Sequence, residues 1–149
     1  MIASIVLFAV SLACPAFHAG AGALRQATPG YEALTLGWFA ALFALIELPL
    51  GHVEMLGTVT WFVNPLLMLS WLLTWRRRGG AAVTLALLAF VLSLGFVLVR
   101  TIPVPDNQTF EHITPGIGYV LWVLSTLCAL LAAGRIDRVE AAPYRTFKL

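Results

Sequence analysis

Glu47, the pair Asn64-Pro65 and Arg100 are the residues whose chemistry stands out, because each interrupts or borders a long apolar run. Proline inside a helix removes one backbone donor and frees a carbonyl one turn earlier, here that of Trp61. The residue before proline is also pushed away from α geometry. Asn64-Pro65 therefore reads either as a kink or as the cap of a fresh half-helix starting at Pro65. A half-helix N-terminus at membrane depth attracts anionic groups, the device of broken-helix transporters. A kink whose freed groups are satisfied by neighbouring helices is the plainer reading. Glu47 and Arg100 both border the outer end of expected spanning helices, where a lipid-facing charge is costly and finds a partner. They are expected to pair, as a structural salt bridge or as a proton- or substrate-handling site. Snorkelling to the headgroups is the other outcome.

Trp61, Asn64, Met68, Trp71 and Trp75 recur at helical spacing and form one stripe. Such a stripe can wall a pigment, a quinone or a lipid tail. It can equally be packing, with Trp61 and Trp75 as anchors at the two membrane faces. His52, Glu54, Glu111 and His112, with Asp106 nearby, combine imidazole and carboxylate, which are transition-metal ligand types. Their spacing matches no metal box, so no metal site is assigned to them. No zinc-protease, nucleophile-elbow, phosphate-loop or redox CxxC motif occurs, and no cofactor is expected.

The elements that must carry these residues are apolar helices. The chain has 149 residues, 60% of them hydrophobic and 11% charged, which is too little charge to cover a water-soluble domain of this length. Net charge is +2, so nothing points to nucleic acid. Cys14 and Cys128 both lie in apolar runs and read as buried thiols. Five spans are expected, at residues 2–17, 33–49, 57–75, 81–100 and 115–134, followed by a short tail over 135–149. Residues 57–75 carry no charge and measure about 28 Å as a helix, close to the ~30 Å hydrocarbon core of a bilayer. The first span lacks the basic start of a signal peptide and reads as a helix that stays; were it interfacial, four spans would remain. Small residues recur on one face of the second span (Gly37, Ala41, Ala44), the fourth (Ala82, Ala86, Ala89, Ser93) and the fifth (Gly118, Ser125, Ala129, Ala132). Such stripes let helices approach closely. Thr114-Pro115 reads as the N-cap and first residue of the fifth helix, and Gly134 as its C-terminal stop.

Arg76, Arg77 and Arg78 set the orientation, because cytoplasmic ends of spanning helices collect Lys and Arg. Strict alternation from that point puts the N-terminus outside and the C-terminus inside. It also puts residues 18–33 inside and 101–114 outside, with eight of the nine Lys and Arg residues on the inner face. The expectation is an all-α bundle in a bacterial inner membrane, the preference for Arg over Lys suiting that origin. With so little chain outside the helices, an accessory or scaffolding subunit, packed against other membrane subunits or itself, leads. A small ion, proton or solute carrier using Asn64-Pro65, Glu47 and Arg100 is the alternative, and an embedded enzyme comes third.

Overall fold

A computed structural model describes residues 1–19, 26–47, 60–98, 101–103 and 110–145. The protein is mostly helical with one small sheet. The helices are α1 (Ile2–Ala13), α2 (Gly30–Glu47), α3 (Val63–Trp75), α4 (Gly79–Gly95) and α5 (Ile117–Arg145). The strands are β1 (Pro15–Ala19), β2 (Gln26–Pro29), β3 (Thr101–Pro103) and β4 (Phe110–Pro115). Short 3-10 turns precede α3 at residues 60–62 and follow α4 at Phe96–Leu98.

Proline decides where α1 stops. Pro15 forces Cys14 out of helical geometry, to φ −95° and ψ 157°, and the chain continues extended into β1. β1 then pairs antiparallel with β2 on one side and β4 on the other, His18 opposite both Ala27 and Thr114. β3 completes the sheet in the order β2-β1-β4-β3. The strands were not expected from the sequence, and they correct its topology. Residues 17–19, assigned to one face or its border, hydrogen-bond to residues 113–115, assigned to the other. Both segments therefore lie at one end of the molecule.

α1, α3, α4 and α5 form a single bundle with α5 at its centre, packed against the other three. The sheet caps one end and the turn of Arg76–Arg78 lies at the other. Gly79 at that turn abuts the backbone of Asp137 on α5. Ser4 near the start of α1 bonds to Ser125 on α5 and to Trp71, one turn before the arginines. The start of α1 therefore points away from the sheet and reaches the level of Ser125, while α5 runs on to Asp137 at the arginine turn. The N-terminus and the end of α5 are both directed away from the sheet, where an outside N-terminus opposite an inside C-terminus was expected. The expected alternation fails at α2. Gly30 opens α2 at the sheet end, its N–H bonded to Cys14 O at 2.9 Å, and α3 also opens there, Trp61 against Phe96.

The interior joins a few large apolar side chains, Phe8, Val63, Leu67 and Phe96, to many small and polar ones, while much of the exterior is large and apolar. Ala82, Ala86, Ala89 and Ser93 on α4 are all fully buried (0% exposed), as the small-residue stripe requires. Ser4, Ser70, Ser125 and Thr126 are equally buried. Meanwhile Val6, Val10, Leu69, Leu72, Leu87, Leu88, Val91, Leu94, Val120, Leu124 and Leu131 are exposed. Gly118 shows how tight the crossings are: a Cβ there would stand 2.8 Å from the carbonyl oxygens of Cys14 and Pro15. Among the described residues, one helix is long and apolar enough to cross a bilayer, Ile117–Val139 of α5, with mean hydropathy 2.0; α1 and α4 are shorter apolar helices.

Two expected helix boundaries also move. Thr114 and Pro115 end β4 rather than start α5, and α5 runs through Gly134, where an added Cβ would meet nothing within 4 Å, to Arg145. The separate tail expected from 135 onward is helical as far as that point. Cys14 and Cys128 are free and half-buried, not fully enclosed.

Candidate functional site

Asn64-Pro65 lies in the first turn of α3, not at mid-helix. Proline there costs no helical hydrogen bond, since first-turn N–H groups have no intrahelical acceptor. The expected kink is thus absent, and the half-helix reading is met only in that α3 begins here. Asn64 is buried, and each end of its amide has a partner. Its Oδ1 accepts from Trp122 Nε1 at 2.9 Å, and its Nδ2 reaches Trp61 O at 3.5 Å. The Trp61 carbonyl, one turn before Pro65, thus finds a donor in the Asn64 side chain.

Around this amide is a cavity of about 50 Å³. A single water needs on the order of 10–15 Å³, so a few water-sized groups fit. Phe8 and Leu12 of α1, Phe17 of β1, Ala33 and Leu34 of α2, Trp61 and Asn64, Phe96, and Tyr119 and Trp122 of α5 line it. Phe96 stands between Phe17, Trp61 and Tyr119, at ring-centroid distances of 6.4, 6.4 and 5.4 Å. The polar groups at the wall are largely spent. Tyr119 OH donates to Ser93 O at 2.8 Å, Ser11 Oγ to Phe8 O at 2.7 Å, and Trp122 to Asn64. Gly37 of α2 lies so close to the Trp61 ring that no side chain fits between them.

The tryptophan stripe divides by environment. Trp61 lines the cavity. Trp71 is half-buried, donates to Ser4 Oγ at 2.8 Å and stacks edge-on against Phe8, while Met68 and Trp75 are exposed. Arg76, Arg77 and Arg78 form the exposed turn between α3 and α4, with Arg77 at φ 53°. The expected Glu47–Arg100 pair falls outside what the structure describes: α2 ends at Glu47, and Arg100 lies outside the described residues. His52, Glu54 and Asp106 also lie outside them, and Glu111 and His112 are placed only as backbone in β4. Among the described residues no three His, Cys, Asp or Glu side chains gather as metal ligands.

Sequence reasoning missed Ser4, Tyr119 and the partnership of Trp122 with Asn64. The available signal was the indole N–H: a buried tryptophan needs an acceptor, and Asn64 and Ser4 are polar side chains placed to supply one. Outside the cavity, Tyr31 OH donates to Glu32 Oε1 at 3.1 Å. That hydrogen bond, with the negative charge of Glu32, pushes the phenol above its ordinary range. Comparison with protein-family models, with curated proteins and with solved structures returns no match.

Proposed function

We propose that the protein is a small multi-pass membrane protein whose role is structural: an accessory or scaffolding subunit of a larger membrane assembly. The large apolar exterior, around an interior rich in small and hydroxyl residues, carries the membrane reading. In water, burying serines and alanines while exposing leucines and valines forfeits the hydrophobic term that folds a chain. In lipid the penalty vanishes, and close approach of small residues with hydroxyl bonds between helices becomes the source of cohesion. In this reading α3, α4 and α5 cross the bilayer, α1 enters it part of the way, the sheet caps the outer face, and α2 lies against the bundle at that face. α3 and α4 are lengthened by the 3-10 turns at residues 60–62 and Phe96–Leu98, whereas α1, with twelve residues, measures about 18 Å.

Charge supports the orientation. Arg76, Arg77, Arg78, Arg135 and Arg138 lie at the end opposite the sheet. Arg77 holds a left-handed φ that glycine would adopt more readily, so backbone geometry does not explain an arginine there. A cytoplasmic anchor in a bacterial inner membrane does. The carrier alternative loses support at Asn64, whose amide is bonded to Trp122 and Trp61 beside a largely apolar cavity. Mild-detergent purification from membranes tests the role: the protein is expected to bring a larger membrane partner in fixed ratio. A stable, partner-free homo-oligomer would overturn it.

A further inference from the structure

We infer that the arginine end of the bundle is a docking surface for the phosphate headgroups of anionic phospholipids, an inference that rests on the membrane reading above. Three observations converge. First, Arg76, Arg77, Arg78, Arg135 and Arg138 share one level. Gly79 abuts Asp137, which holds the turn of Arg76–Arg78 against α5. At about 1.5 Å per residue, Arg135 and Arg138 then lie within about 3 Å of that level along the helix axis. All of these arginines are exposed. Second, their charges are uncommitted. Among the described residues no ion pair engages them. Asp137 is the one acid with a described side chain at this end, and it is half-buried. Its Oδ1 stands 3.7 Å from where a Cβ on Gly80 would be, beside the N-terminus of α4. Third, an arginine stands where the backbone favours glycine. α3 closes with Arg77 N–H on Thr74 O at 3.2 Å and Arg78 N–H on Leu73 O at 2.9 Å, an arrangement whose left-handed position glycine usually takes. Arg77 takes it at φ 53°, although Gly79 and Gly80 follow. Trp75 (76% exposed) precedes Arg76 and Val139 (73% exposed) follows Arg138, so the belt mixes guanidinium groups with large apolar ones. That mixture suits the boundary between headgroups and acyl chains better than an acidic protein segment in water. A guanidinium fork takes two phosphate oxygens at once. Basic clusters beside a spanning helix gather anionic lipid in this way.

The test uses the full chain in phosphatidylcholine vesicles carrying a trace of spin-labelled phosphatidylglycerol or, in parallel, of spin-labelled phosphatidylcholine. The motionally restricted fraction of each label gives the preference for the anionic headgroup. Phosphatidylglycerol is expected to be preferred, and added salt to weaken that preference. Arg135→Gln combined with Arg138→Gln should lower it, by up to about fivefold for each arginine. Arg135→Lys combined with Arg138→Lys keeps the charge and should retain most of it. Should the glutamine variant fail to fold, the salt series on the parent chain decides alone. Equal retention of the two lipids by the parent chain, a preference indifferent to salt, or one unchanged in a folded glutamine variant would overturn the inference while leaving the membrane reading standing. So would displacement of the lipid by inorganic phosphate but not by chloride at matched ionic strength, which would mark a site for the free anion. Release of the chain from membranes by salt or alkaline wash without detergent would instead overturn the membrane reading, and the inference with it.

Discussion

Replacing Asn64 by alanine should destabilise the bundle through Trp122. Asn64 Oδ1 is the acceptor for the Trp122 indole N–H at 2.9 Å, and Asn64 Nδ2 serves the Trp61 carbonyl at a weaker 3.5 Å. Hydrogen bonds between helices in membrane proteins average about 0.6 kcal/mol and reach about 1.7 kcal/mol in double-mutant cycles. An orphaned buried donor costs about 1–3 kcal/mol in water-soluble proteins. The cavity beside the amide relieves little of this, since its wall is apolar. Asn64→Ala is therefore expected to cost about 1–3 kcal/mol. A double-mutant cycle with Trp122→Phe should return a coupling of about 0.6–1.7 kcal/mol. The assay is reversible unfolding in mixed micelles titrated with a denaturing detergent, followed by tryptophan emission and circular dichroism. Strictly additive single and double mutants would refute the reasoning, because the amide would then contribute nothing through the indole.

Two glycines make opposite predictions in the same unfolding assay. Gly79→Ala places a Cβ 2.6 Å from the Asp137 Cα, a backbone atom that cannot swing aside, and should destabilise by about 1–3 kcal/mol. Gly134→Ala meets nothing within 4 Å in mid-helix and should stabilise by about 0.5–1 kcal/mol. Trp71→Phe keeps an aromatic ring beside Phe8 but loses the bond to Ser4, and should cost about 1 kcal/mol in thermal or detergent unfolding. Tyr31 should ionise above the ordinary tyrosine range, and Glu32→Gln should lower its midpoint, read as phenolate absorbance against pH. Because the folded value is raised, its contribution is intact below the unfolded midpoint and is lost as pH rises through the folded one.

The inner face of α4 was legible from spacing alone. Ala82, Ala86, Ala89 and Ser93 recur with the helical period and are the buried face of α4. The arginine turn was equally plain. The sheet was not, because Pro15–Ala19 and Phe110–Pro115 are short, and their partnership spans nearly a hundred residues of sequence. Periodicity reports which face of a segment is small, and says nothing about which distant segment will pair with it. The reversal at α2 was hidden for the same reason: an apolar run of eighteen residues reads as one more crossing whether it enters the bundle or lies against its end. Gly134 misled because a glycine reads as a stop, although its helix cost of about 1 kcal/mol is small enough for a long helix to absorb. At the site, Asn64-Pro65 was picked out correctly as unusual, but its depth was misjudged. The start of α3 is set by its contacts with Phe96 and Trp122, which no local pattern encodes.

The most direct test of the architecture is side-specific thiol labelling in sealed membranes. Cys14 and Cys128 are replaced by alanine, and single cysteines are introduced at Arg138, Arg77 and Thr28. An impermeant maleimide should label Arg138→Cys and Arg77→Cys from the same face and Thr28→Cys from the opposite one. Labelling of Arg138→Cys and Arg77→Cys from opposite faces, or of all three from one face, would contradict a helical bundle capped by a sheet.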